Sequence, residues 1–149
     1  MAIDLARLGT DLHLLSPVDY GDDRTTAGDL REGLRQGIDL AVIAGADNIS
    51  QALLLRLLTP RGALEPLGHS TYGSRLHTLI GEHNTEANRN RARLYVLEAI
   101  AQEPRIRQVL ALSVTTNRSA NPTRIDITIN AEVAESGEVI NLVFPFFLE

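Results

Sequence analysis

The chain contains no cysteine and no lysine, and it has no apolar run long enough to cross a bilayer. Without cysteine there is neither a disulfide nor a thiolate metal site, whatever the compartment. A helical membrane span needs roughly 20 apolar residues, and no stretch comes close. The start, Met1-Ala2-Ile3-Asp4, lacks the basic and apolar regions of a secretory signal. No dense basic tract interrupts a chain of net charge −5, so the electrostatic footprint of a nucleic-acid binder is missing. All 14 cations are arginine. The composition of the source genome accounts for that, and so does a surface built for ion pairs, because arginine is planar, weakly hydrated and always charged.

Catalytic signatures are also scarce. There is no GxSxG elbow, no P-loop, no Rossmann glycine fingerprint and no HExxH. His13, His69, His77 and His83 lack metal-ligand spacing, and His77 and His83 fall on different faces. The acidic stretch Ser16 to Gly37, with Asp19, Asp22, Asp23, Asp29 and Glu32, lacks the ligand spacing and Gly of an EF-hand, and reads as a solvated loop. Glu82, Glu86, Glu98 and Glu103 could supply a glycosidase pair, but any acidic chain offers such combinations. Pairing with Arg105 would lower the Glu103 pKa, the wrong direction for a general acid. No catalytic, cofactor or metal residue is assigned.

The chain does carry a patterned, globular sequence. With 149 residues, 44% hydrophobic content and mean hydropathy of −0.04, it is expected to form one domain, 1–149. Asp11 to Leu15 and Ile38 to Ile43 read as a pair of short strands, with a short helix over 29–36 between them. A helix is predicted from Asn48 to Leu58, capped by Asp47 or Asn48 and stopped by Thr59-Pro60. Its broad apolar face makes it either central to the core or shared with a partner, with Gln51 and Arg56 opposite. A second, short helix is predicted from Ser74 to Ile80, packing Leu76, Leu79 and Ile80 and closed by Gly81.

The third helix opens near Thr85 or Glu86 and reaches Gln102, with Ala92, Val96, Ala99 and Ile100 on one face. The same register carries Glu103 inward or toward a neighbour. Arg89, Arg91 and Arg93 crowd the start of this helix, where cations oppose the macrodipole. Solvation or an acidic partner would relieve them. Pro104 then ends the helix and fixes Glu103 and Arg105 on either side of one ring.

Three strands follow. Ile106, Leu110, Leu112 and Val114 mark the first. Ile125, Ile127, Ile129, Ala131 and Val133 alternate with polar residues in the second. Glu135-Ser136-Gly137 turns into Val139 to Phe146, with Ile140, Leu142, Phe144 and Phe146 on one face and Pro145 limiting pairing at its end. The expected fold class is α+β, a mostly antiparallel β-sheet with about three helices packed on one face.

Ordered blocks across Ile38 to Phe146 resemble the lysozyme-like baseplate wedge family of contractile phage tails, type VI secretion and extracellular contractile injection systems. They are Leu53-Leu54-Leu55-Arg56-Leu57-Leu58-Thr59-Pro60-Arg61-Gly62, then Gly68, then Tyr72-Gly73-Ser74-Arg75-Leu76, then Glu103-Pro104-Arg105-Ile106. The resemblance implies a structural baseplate protein, assembled in the cytoplasm, with residues 38–149 as the core and 1–37 variable. It implies other wedge subunits as partners, the sheath protein added by β-augmentation at a sheet edge, and tube or hub proteins nearby, with no nucleic acid and no membrane insertion. The interface expected from it uses Glu103, Pro104, Arg105, Arg56, Arg61, Arg75, Arg89 and Arg93. A second reading has Glu103 and Arg105 bracing the helix–sheet corner internally. One departure is the connection from Ser16 to Gly37, longer than the family pattern. Two other functions remain open: a peptidoglycan-cleaving enzyme, and a regulatory binding module on the same fold.

Overall fold

The first long helix begins three residues before the predicted start. In the computed structural model, which describes residues 8–14, 41–117 and 119–148, helix α1 spans Gly45–Leu58. Ala44 occupies its N-cap with no side-chain hydrogen bond, so neither Asp47 nor Asn48 caps it. Asn48 is instead buried, and its Nδ2 donates to Leu8 O at 3.1 Å. Gln51, expected to face water, is buried as well. Its Nε2 donates to Leu12 O at 2.8 Å and its Oε1 accepts from Leu14 N at 2.9 Å. The polar face of α1 is thus covered by a small sheet, in which β1 (Thr10–Leu12) pairs antiparallel with β2 (Val42–Ala44). The expected helix over 29–36, the acidic loop and the ends of the two predicted strands lie outside the described residues.

Helix α1 stops because Thr59 turns to an extended conformation and Pro60 follows. Thr59 Oγ1 donates to Leu55 O at 2.7 Å, satisfying one of the last carbonyls of the helix. The predicted helix over Ser74 to Ile80 is instead a single 3-10 turn, Leu76–Leu79. Leu76 and Leu79 are buried as expected, but Ile80 is 64% exposed, because four residues make too short a turn to hide a third side chain. Two α-helices are therefore present among the described residues, not three. The second, α2, spans Glu86–Ile100 and is capped by Thr85, whose hydroxyl accepts from Asn88 N at 3.2 Å. Ala92, Val96, Ala99 and Ile100 are buried, matching the predicted face.

The main sheet is antiparallel, in the order β3-β4-β5, with β3 Ile106–Thr115, β4 Arg124–Val133 and β5 Val139–Phe147. Every odd-numbered residue of β4 from Ile125 to Val133 is fully buried, so strict alternation placed this strand correctly. These side chains meet Ile49, Leu53, Leu54 and Leu57 of α1 and the buried stripe of α2 in one core.

Strand β3 departs from the prediction. Its register with β4 shifts between Ile106 and Gln108 and again between Val109 and Ala111. Each shift places an extra residue in β3, so the core-packed positions are Ile106, Val109, Leu112 and Val114, and Leu110 is left 50% exposed. Strand β5 also differs: Pro145 pairs with Asp126 and the ladder continues to Phe147. An edge strand tolerates this, because a proline whose N–H would face outward costs its neighbour nothing.

Candidate functional site

The Glu103-Pro104-Arg105 corner is built by the end of α2. Glu103 N donates to Ile100 O at 2.9 Å, Ile106 N donates to Glu103 O at 3.1 Å, and Ala134 N donates to Arg105 O at 2.8 Å. The corner thereby joins α2, the start of β3 and the β4–β5 turn. Pro104 stays exposed while Glu103 turns inward and is only 5% accessible. The helical register therefore pointed the right way, although α2 itself ends before Glu103.

Two guanidinium groups hold the Glu103 carboxylate. Arg105 Nε donates to Oε1 at 2.6 Å and Arg105 Nη2 to Oε2 at 3.1 Å, a bidentate pair. Arg56 Nη2 reaches Oε2 at 3.5 Å from α1. Burial works to raise the Glu103 pKa, but the hydrogen bonds and charge of Arg105, with the charge of Arg56, bring it below the ordinary carboxylate value. The pairing in turn raises the Arg105 pKa. Arg105 Nη1 also donates to Leu8 O at 3.3 Å, tying the corner to the segment before β1. The guanidinium of Arg56 lies 4.5 Å from the centroid of the Tyr72 ring, and its Nε is buried without a partner. Beside it a groove of about 450 Å³ opens between Gly68–Tyr72 and Gln102.

A second cluster sits one turn back along α2. Glu98 accepts from Arg61 Nη1 at 2.5 Å, and from Arg75 Nε at 2.9 Å and Nη2 at 2.7 Å. The Arg75 hydrogen bond leads in lowering its pKa against the opposing effect of burial, with Arg61 adding to it. Arg75 stacks 4.4 Å from the Tyr95 ring centroid. Arg61 and Arg75 arrive there because their segments clasp each other. Arg61 N donates to Ser74 O at 2.9 Å, Ser74 N to Thr59 O at 2.9 Å, and Gly62 N to Tyr72 O at 3.2 Å. Ser74 Oγ donates to Leu57 O at 2.6 Å. Gly73 sits inside the clasp at φ 102°, where an added Cβ would lie 2.5 Å from Thr59 O. The Thr-Pro-Arg-Gly and Tyr-Gly-Ser-Arg blocks are thus two halves of one structure.

Among the eight predicted site residues, Glu103, Arg105 and Arg56 converge on one cluster with exposed Pro104 beside it, and Arg61 and Arg75 on the other. Arg89 and Arg93 stand apart. Arg89 Nη1 donates to Asn84 Oδ1 at 2.8 Å, and Arg93 is exposed. Sequence reasoning weighed Glu98 only as a catalytic carboxylate and missed it as the hub of an ion-pair cluster. It also missed Tyr72 and Tyr95 as stacking platforms. Their one sequence signal is the pair of Arg-bearing blocks, each needing an acidic and an aromatic partner. Both clusters carry two guanidinium groups per carboxylate, hence a local excess of positive charge on a chain of net charge −5. Carboxyls whose pKa values are lowered are poor proton donors at neutral pH. Such clusters fix the elements they join relative to one another.

The family described as baseplate wedge protein gp25 matches residues 44–138, which is more than half of the chain. A crystal structure from Geobacter sulfurreducens, provisionally named a tail lysozyme, is similar at 27% identity with a TM-score of 0.58. The match covers 69% of this chain and 90% of that one. No curated protein matches.

Proposed function

Because the chain belongs to the gp25 baseplate wedge family, we propose that it is a non-enzymatic joint in the baseplate of a contractile injection machine. In this reading it assembles in the cytoplasm, binds other wedge subunits through its helical side, and starts the sheath by accepting a strand at its sheet edge. Tube or hub proteins are further neighbours. The observation that carries the reading is the corner itself: a buried carboxylate held as an anion by two arginines, where two helices meet a three-stranded sheet. A wedge component must keep its helical and sheet surfaces at a fixed angle, and this cluster supplies the brace. The cation-rich sides of both clusters (Arg56, Arg105, Arg61 and Arg75), with Arg89 and Arg93 on α2, then form the surface for acidic wedge partners. Glu103 and Pro104 set its angle. What supports the strand partner is the sheet order β3-β4-β5, which makes β3 and β5 its outer strands among the described residues.

The name of the Geobacter protein favours one competing reading, peptidoglycan cleavage. Purified chain incubated with peptidoglycan distinguishes the two. The joint reading expects no turnover, together with baseplates that lack sheath when the gene is deleted. Turnover abolished by substituting Glu98 or Glu103 supports the enzyme instead.

A further inference from the structure

The two arginines of the Glu103 cluster are unequally served. Arg105 donates to both oxygens of the carboxylate, at 2.6 and 3.1 Å, and to Leu8 O at 3.3 Å. Its pKa is raised by the Glu103 hydrogen bond, with a smaller effect from the charge of Asp11 on β1. Arg56 has one polar contact, from Nη2 at 3.5 Å, to the same Oε2 that Arg105 already holds. Its Nε is buried with no partner, and its Nη1 has none among the described residues. A guanidinium that can donate along two edges thus makes a single long hydrogen bond. We propose that the groove beside it is a carboxylate-binding site anchored by Arg56. The site belongs to the cation-rich surface proposed above and rests on that reading for the source of its ligand.

The groove walls decide the class of ligand. Tyr72 covers one face of the Arg56 guanidinium at 4.5 Å, which leaves the in-plane edge for hydrogen bonding. The neighbouring lining comes from His69, Ser70, Thr71 and Gln102, whose side chains make no hydrogen bond among the described residues. Two hydroxyls and an amide are therefore free to donate to a second ligand oxygen. No acidic side chain lines the groove among the described residues.

One under-served guanidinium flanked by neutral donors suits a planar monoanion. With a carboxylate in place, Arg56 and Arg105 face two carboxylates instead of sharing one. A phosphate dianion needs more positive charge or a helix N-terminus, and His69 is the one other basic side chain on the described walls. The groove volume of about 450 Å³ lies in the range of small-ligand sites. A free dicarboxylate and an acidic side chain on a protein segment both fit that space, and the carboxylate is the chemistry they share.

Two-dimensional NMR of the full chain tests this, because it reads the Arg56 Nε–H, the backbone amides of 68–72 and the Gln102 side chain separately. The probes are glutarate, a capped Gly-Glu-Gly peptide, the same peptide with Gln in place of Glu, and inorganic phosphate, all at constant ionic strength. The site predicts saturable shifts confined to those groups with glutarate and the Glu peptide, and none with the Gln peptide. Tighter binding of the peptide supports a protein segment as the source, and tighter binding of glutarate supports a free acid. Binding of phosphate alone overturns the carboxylate assignment. Absent shifts, or unsaturated shifts spread equally over the Arg61 and Arg75 cluster, overturn the site. Arg56→Gln should abolish binding. Thr71→Ala and Gln102→Ala remove side chains that hold nothing else among the described residues, so their thermal melts should be unchanged while each weakens binding about threefold. Full binding by these two variants together overturns the site even if Arg56→Gln fails to fold. The probes act on the isolated chain, so their failure leaves the baseplate reading standing, and absence of the chain from baseplates leaves the site standing.

Discussion

At the scale of single residues, Glu103 is the group on which most other positions depend. Replacing it with Gln keeps its shape but leaves Arg56 and Arg105 facing a neutral amide. Because Arg105 is partly exposed, the expected loss is about 2 kcal/mol, below the cost of breaking a fully buried pair. Urea denaturation of both proteins measures it. Glu103 and Glu98 both have folded pKa values below the ordinary carboxylate value. The folded state therefore binds fewer protons than the unfolded one. The stabilisation is full above the unfolded value of about 4.3 and disappears as pH falls through the folded values. A stability–pH curve should drop below about pH 4 in the native chain and be flatter in Glu103→Gln. Gly73→Ala should be more severe still, since its Cβ meets Thr59 O at 2.5 Å with φ at 102°, and a cost of about 3 kcal/mol or loss of folding is expected. The inward turn of Glu103 was legible from helical spacing. The second arginine on it was not, because Arg56 arrives from a helix distant in sequence, and no local pattern encodes that contact.

At the scale of elements, strongly periodic segments were readable and their ends were not. The alternation in β4 and β5 and the buried stripe of α2 follow directly from hydrophobic spacing. The start of α1 was misplaced because Asn48 resembles a cap, whereas burial under the segment before β1 gives its amide a different partner. Leu110 was placed inward because alternation assumes an uninterrupted register, and the shifts in β3 depend on its pairing with β4. The contrast between the two helix starts can be measured by thermal denaturation. Thr85→Ala removes a side-chain cap and should cost about 1 kcal/mol. Asp47→Ala removes only a charge near the macrodipole and should cost a few tenths of a kcal/mol.

At the scale of the whole molecule, the Glu103 cluster ties α1 and the end of α2 to the start of the main sheet, and the Glu98 cluster ties α2 to the two clasped loops. The blocks that carried the family resemblance turn out to be contiguous parts of that framework: the Thr59–Arg61 and Tyr72–Ser74 clasp, and the corner after α2. The resemblance was legible because these blocks stand in the sequence as uninterrupted runs, Thr59-Pro60-Arg61-Gly62, Tyr72-Gly73-Ser74-Arg75 and Glu103-Pro104-Arg105. What the joint binds was less legible, since an open edge acquires meaning only from its partner. A cryo-EM map of the assembled particle is the most direct test of the joint. The account predicts the chain in the baseplate with a sheath strand hydrogen-bonded along its three-stranded sheet. A map in which both sheet edges face solvent while the sheath is attached elsewhere would contradict it.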